Sequence, residues 1–223
     1  PLRNLSQHIL EPMLLEEVQS MGIAVEYGVE WTPELASDAT WLIGCDGASS
    51  AVRRSMGIEM IGPDNLQRFH MIHFRADLSS MTQNARGVLY WLCDPSIDGT
   101  LISHGNGGEW VYMTAAHDDL HRLGEKDAIQ RVANVLTQSE TAIEILTISS
   151  WTMTSQIASS YRSGNTFLVG DSAHRFPPSG GMGLNSGVAD AHNLAWKIAV
   201  VHRGVCDSSI LATYEQERRP VAE

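Results

Sequence analysis

Apolar residues recur along this chain with two different periods, and the change of period divides it. Near the start, Ile9, Leu10, Met13, Leu14 and Val18 fall at helical spacing, predicting a helix within residues 1–22 that Gly22 ends. Ser6 or Gln7 would cap it, and Pro12 requires the helix to begin close before that position. Ile23–Val29 alternates like a strand, Thr40–Cys45 reads as a more continuously apolar strand, and Ala48–Met56 as a helix. From about Ile58 to Ser155 the period shortens to two. Along Arg68–Leu78, Ile72, Phe74, Ala76 and Leu78 fall on one face and Met71, His73, Arg75 and Asp77 on the other. Strands at Val88–Cys93, Thr100–His104 and Trp110–Ala115 follow at hairpin spacing, predicting an antiparallel meander. A helix over Gly124–Ser139, with Ile129, Val132, Val135 and Leu136 as its stripe, and a strand at Ile143–Trp151 complete this middle region. Thr166–Val169 is a short buried strand. Leu184–Arg203 is the clearest helix, with Leu184, Val188, Ala191, Leu194, Ala195, Ile198 and Val201 as its apolar stripe, and Ser209–Arg219 is another. The order predicts an α/β (α+β) fold, with mixed helix and strand segments at both ends of the chain enclosing a β-rich region.

Composition narrows the function classes. The 223 residues are 43% hydrophobic and 18% charged, enough for a sizeable core. A formal net charge of -11 argues against nucleic acid or an anionic membrane as partner. The three cysteines, Cys45, Cys93 and Cys206, lack CxxC spacing, so neither a zinc site nor a disulfide framework is expected. No apolar run reaches membrane-spanning length and no signal peptide is visible, which points to a soluble, cytoplasmic chain.

Chemistry concentrates in Asn165–Gly187, NTFLVGDSAHRFPPSGGMGLNSG. A strand there runs into an acidic turn, a Gly- and Pro-rich loop and then a helix start. An aspartate at a strand end can accept hydrogen bonds from a ribose diol. Glycines admit close backbone approach, and a helix N-terminus offers unpaired N–H groups to an anion. Upstream, WLIGCDGASSAVRR (Trp41–Arg54) places Asp46 and Gly47 at a second strand end, ahead of Arg53 and Arg54. Alone, such a turn reads as a plain Asp-Gly turn with solvated arginines.

Together these stretches resemble two hallmarks of the FAD-dependent aromatic hydroxylases of the p-hydroxybenzoate hydroxylase type: the GD(A/S)AHxxxPxxGxGxN motif and, upstream, the DG motif. The resemblance implies FAD as cofactor, NADH or NADPH as dissociable co-substrate, and dioxygen. The implied reaction is hydroxylation of an aromatic, phenolic or similar small molecule through a C4a-hydroperoxyflavin. It implies that Asp46 and Arg53 hold FAD, that Asp171 binds its ribityl or ribose region, and that Pro178 walls the ring. Gly180, Gly181 and Gly183 would leave room for the ring, and the N–H groups around Gly183, Leu184 and Asn185 would meet its negative charge. Arg3 and Gln7 match an Arg-x-x-x-Gln pattern whose glutamine touches FAD, although a polar cap explains Gln7 equally. His174 reads either as an anchor for the loop or as a satisfied structural histidine. Arg175 and Ser179 have no assignment, and no catalytic acid or base is named. The resemblance implies an incomplete Rossmann-like FAD/NAD(P)-binding domain, made of residues 1–57 and 156–223, with 58–155 as a β-rich substrate domain. Tyr90, Trp91, His104, Trp110 and Tyr112 are pocket candidates there by position alone, each more readily explained as core or surface.

Two departures shape the alternatives. No strand is followed by GxGxxG, so the chain looks like a piece of a longer protein, and the link Glu30–Ala39 is shorter than the family's hairpin. A non-catalytic binding or scaffold chain, or one that needs a partner for the missing FAD half, is therefore the rival reading. A homo-oligomer stays open. Halogenation would call for WxWxIP, which the sequence lacks.

Overall fold

The computed structural model describes residue 5 and residues 7–84, 87–94, 97–104, 108–116, 123–136, 141–178 and 181–223. Arg3, Ser6, Pro95, residues 105–107, the expected helix end at Ser139, Ser179 and Gly180 lie outside these. The elements in order are α1 (Gln7–Ser20), β1 (Leu42–Gly44), α2 (Ala51–Ser55), β2 (Met60–Ile61), β3 (Gln67–Arg75), α3 (Ser79–Thr82), β4 (Leu89–Asp94), β5 (Ile97–His104) and β6 (Glu109–Ala115). They continue with α4 (Glu125–Leu136), β7 (Glu144–Met153), β8 (Gln156–Ala158), β9 (Arg162–Ser163), β10 (Thr166–Leu168), β11 (His174–Arg175), α5 (Met182–His202) and α6 (Thr213–Ala222). The chain forms two compact units, Pro1–Tyr27 with Gln67–Thr152, and Gly28–Leu66 with Met153–Glu223.

The first unit is built on a five-stranded sheet of order β4-β5-β6-β3-β7. The meander holds for β4, β5 and β6, but β3 adds beside β6 rather than β4, with Ile72 opposite Tyr112 and His73 opposite Val111. Residues directly opposite share a face, so the row Tyr90, Leu101, Tyr112 and Ile72 points into one core. That core also takes Phe74, Leu78, Trp110 and the buried side of α4, where Ala128 replaces the expected Ile129, which is exposed. Of the five aromatic or polar candidates in this region, Tyr90, Trp110 and Tyr112 belong to this core. Trp110 Nε1 donates to the Ala76 carbonyl at 3.2 Å, and the Tyr112 hydroxyl to that of Asp98 at 2.7 Å. Trp91 is exposed on the opposite face. His104 lies there too, 5.5 Å from His73 between ring centroids.

α1 forms where helical spacing placed it, with Pro12 inside, and the Gly22 N–H, at φ 77°, closes on the Gln19 carbonyl at 2.9 Å. None of its residues is buried. The expected strand Ile23–Val29 does not form. Ile23, Val25, Tyr27 and Val29 are exposed, and an isolated strand without a ladder partner has nothing to satisfy its backbone.

In the second unit, β1 and β10 run parallel, with Leu42 opposite Thr166 and Gly44 opposite Leu168, and β9 completes the sheet. Gly44 is required by packing, since a Cβ there would lie 2.9 Å from Val52 Cγ1 on α2. The core beneath collects Val52, Tyr161, Phe167, Leu168, Leu194, Leu211 and Tyr214.

The helix α5 starts at Met182, two residues before the expected position, and its orientation splits the apolar stripe: Leu194, Ile198 and Val201 pack into the core, while Leu184, Val188, Ala191 and Ala195 face out. Leu184 and Val188 are exposed at 71% and 61%, while Ser186, Asp190, Leu194 and Lys197 are buried. Small and polar residues face inward because the backbone of the turn at Gly170 approaches Gly187 closely. A Cβ on Gly187 would sit 3.4 Å from Gly170 Cα. Ion pairs satisfy the buried charges on that side: Asp190 with Arg218, and Lys197 with the half-exposed Glu217 at 2.8 Å.

Candidate cofactor site

The parallel pair β1/β10 delivers both motif turns to the same end of one sheet. The Gly44 carbonyl accepts the Val169 N–H at 3.0 Å and the Ser172 hydroxyl at 2.6 Å, so the two turns are stitched at their strand ends. Asp46 then leaves β1 and Asp171 follows β10.

Two arginines complete the stitching. Arg53, 6% exposed, donates from one guanidinium nitrogen to the Ser172 carbonyl at 2.9 Å and from the other to the Ala48 carbonyl at 3.1 Å. Arg175 reaches back to the same Ala48 carbonyl and to Gln156 Oε1 at 2.8 Å. Each motif thus sends an arginine into the other's turn. The resemblance implied that Arg53 holds FAD; in the fold its guanidinium engages two carbonyls. Arg175, which had no assignment, acquires one.

Asp46 accepts the Val52 N–H at 3.0 Å and, with Ser50, caps α2. Burial works to raise its carboxyl, but hydrogen bonds from Ser50 and from the backbone of Val52, Asp46 and Ala51 outweigh it and hold the group below the usual carboxylate range. Asp171 is exposed at the tip of the Gly170–Ser172 turn.

Beneath that turn lies Asp190, fully buried. Its Oδ2 faces His174 Nε2 at 2.6 Å and the Gly170 N–H at 3.2 Å, and its Oδ1 accepts Arg218 Nε at 2.7 Å. Burial pushes this carboxyl up, and the bonds from His174, Arg218 and Gly170 overcome it and set the group low. The sequence did carry the signal: Ser186, Asp190, Asn193 and Lys197 recur at helical spacing, a polar stripe passed over beside the apolar one.

The 21-residue α5 opens at Gly181, with φ 63° and no side-chain cap, and its first turn carries no acidic residue. Its leading N–H groups therefore remain available to an anion at the positive end of the helix. Space for hypothetical Cβ atoms at Gly181 and Gly183 is open, Pro178 is exposed, and Asn185 Nδ2 donates to the Gly181 carbonyl at 2.9 Å. Asp46, Arg53, Asp171, Pro178, Gly181, Gly183, Leu184 and Asn185 all belong to this unit. Gly180 lies outside the described residues. Gln7 belongs to the other unit, exposed on α1 with its amide donating to Glu11.

These features fit FAD: two strand-end carboxylates for hydroxyl groups, an uncapped helix start for a negatively charged ring edge, and glycines clear of side chains beside a proline. Among the described residues no group of three or more His, Cys, Asp or Glu could hold a metal, and no helix is long and apolar enough to cross a membrane.

A parallel strand pair whose strand-end turn packs on the following helix, as Gly170 does on Gly187, is the arrangement of a nucleotide-cofactor fold of the α/β class. Residues 32–223 match the family model described as FAD binding domain, and the chain belongs to that family. Aklavinone 12-hydroxylase of Streptomyces purpurascens is 33% identical over 244 residues, covering 98% of this chain and 46% of its own. The 2,4-dichlorophenol 6-monooxygenase of Cupriavidus pinatubonensis is 29% identical over 247 residues, covering 99% of this chain and 41% of its own. The crystal structure of the flavin-dependent monooxygenase PieE, in complex with FAD and substrate, is similar with a TM-score of 0.86 at 30% identity, over 98% of this chain and 42% of that one. The chain spans less than half the length of the curated relatives it matches.

Proposed function

We propose that this chain is the FAD-holding part of a monooxygenase that uses NADH or NADPH and dioxygen to hydroxylate an aromatic, phenolic small molecule. The observation that carries the reading is the joining of the two motif turns at the end of β1/β10, with the Gly170 turn packed against Gly187 and Asp190 of α5. When bound, FAD supplies the redox chemistry, accepting hydride and activating oxygen. The chain's own residues bind and orient. Asp171 and Asp46 offer carboxylates to sugar or ribityl hydroxyls, and the N–H groups at Gly183, Leu184 and Asn185 favour negative charge on the ring. Pro178 contributes a rigid wall without a backbone donor. The aromatic substrate class is supported by the relatives, which act on aklavinone and 2,4-dichlorophenol. The test is substrate-dependent NADH or NADPH oxidation by the FAD-loaded protein over a panel of phenols, with mass spectrometry of the product. A gain of one oxygen atom supports the reading. Oxidation of the nicotinamide with every phenol recovered unchanged counts against it.

A second reading, that the chain needs a partner supplying the glycine fingerprint, is favoured by its uncovered apolar surface. Ile43, on the sheet-edge strand β1, is exposed, as are Leu184 and Val188 along α5. FAD uptake only after co-expression with a GxGxxG-bearing βαβ fragment would select this reading.

A further inference from the structure

Asp190 touches the cofactor turn from behind, at both of its ends. Gly170 opens the turn with a left-handed φ of 64°, and its N–H ends on Asp190 Oδ2, while His174, four residues on, meets the same oxygen. Between them Ser172 is fixed to Gly44, and only Asp171 faces out. The other oxygen of Asp190 is held by Arg218 on α6, so the C-terminal helix also grips the turn.

The arrangement also dictates the proton on His174. Its Nδ1 is buried with no hydrogen-bond partner. Arg218 already balances the charge of Asp190, and a buried N–H without an acceptor is costly, so the proton belongs on Nε2, where Asp190 accepts it. We propose that Asp190 is a positioning residue for FAD: through the Gly170 amide and the Nε2–H of His174 it sets the turn that presents Asp171. This rests on the FAD reading of the site. In Asp190→Asn the oxygen stays with the cationic Arg218 and the NH2 faces two donors. The Gly170 amide then loses its acceptor, and His174 moves its proton to Nδ1 so that Nε2 can accept.

The experiment uses the 223-residue chain labelled with 15N, together with FAD titration. In the unaltered chain, imidazole spectra are expected to show the Nε2–H form of His174 and slow exchange of the Gly170 amide. In Asp190→Asn they are expected to show Nδ1–H, Gly170 exchange at least tenfold faster, and FAD binding weaker by about tenfold, the consequence of one buried unsatisfied group. His174→Gln, which keeps a donor near the Nε2 position, is expected to retain FAD affinity within about threefold, and His174→Leu to lose about tenfold. Equal affinity of the Gln and Leu variants would reduce His174 to a space-filling residue and overturn the proposal. An Nδ1–H form in the unaltered chain would overturn it without any variant having to fold. If the unaltered chain takes up no FAD, alone or beside a GxGxxG-bearing fragment, the functional reading falls, while the proton position and the Gly170 exchange still decide whether Asp190 sets the turn.

Discussion

Lys197 has no exposed surface, yet it is a cation on a helix face that would ordinarily be apolar. Its Nζ bonds Asn193 Oδ1 and Glu217 Oε2, both at 2.8 Å, and Glu217 is half exposed. Hydrogen bonds from Asn193, Lys197 and Thr213 pull the Glu217 carboxyl from its ordinary 4.5 to about 2. A carboxyl whose folded value is depressed stabilises the fold above its unfolded value, and that contribution is lost as pH falls between those two values. Thermal melts should therefore lose stability between about pH 4.5 and 2. In Lys197→Met the loss specific to this pair should shrink, with Glu217 titrating nearer its ordinary range by carboxyl NMR. Tyr214 offers a simpler case. Its buried hydroxyl donates to the Leu168 carbonyl at 2.6 Å. Tyr214→Phe should cost about 1–2 kcal/mol in urea unfolding, through the lost bond and an under-satisfied carbonyl in the core.

Among the elements, the packing of α2 against β1 and the crossed arginines decide how firmly the two turns are joined. Gly44→Ala would force a methyl group to within 2.9 Å of Val52 Cγ1, so a destabilisation of about 1–3 kcal/mol is expected by chemical denaturation. Arg53→Ala should destabilise the FAD-free chain by about 1–3 kcal/mol, because the buried Ser172 carbonyl loses a charged donor, while that of Ala48 keeps Arg175. An arginine whose only task was to meet phosphate would leave the FAD-free stability unchanged, so the same denaturation curve separates the two roles. The period-two pattern of Arg68–Leu78 was legible because β3 buries one face and alternation follows from that alone. The strand ends of the two motifs were legible because an aspartate and a glycine after an apolar run leave few other conformations. The orientation of α5 was not legible from hydrophobicity. The first half of its apolar stripe, Leu184 and Val188, faces out, and a polar stripe shares the inward side with Leu194, since Asp190 and Lys197 find partners on α6, 28 and 20 residues further along the chain. Pairing over such distances is a tertiary property. The failed strand Ile23–Val29 makes the same point in reverse: alternation without a neighbouring strand produces no ladder.

At the scale of the whole molecule, each unit has its own core, and the two motifs fall in one of them, with Gln7 in the other. Asp46, Arg53, Asp171 and the start of α5 come from segments more than a hundred residues apart, closed into one unit by the parallel pairing of β1 with β10. The proposal built on that assembly is that this unit holds FAD. The most direct test is the visible absorption and FAD content of the purified chain, before and after incubation with FAD and gel filtration. The account predicts retained flavin absorbance at a stoichiometry near one, lost in a variant carrying Asp171→Ala with Gly183→Val. A chain that stays colourless with excess FAD, both alone and beside a fragment bearing the glycine fingerprint, would contradict it.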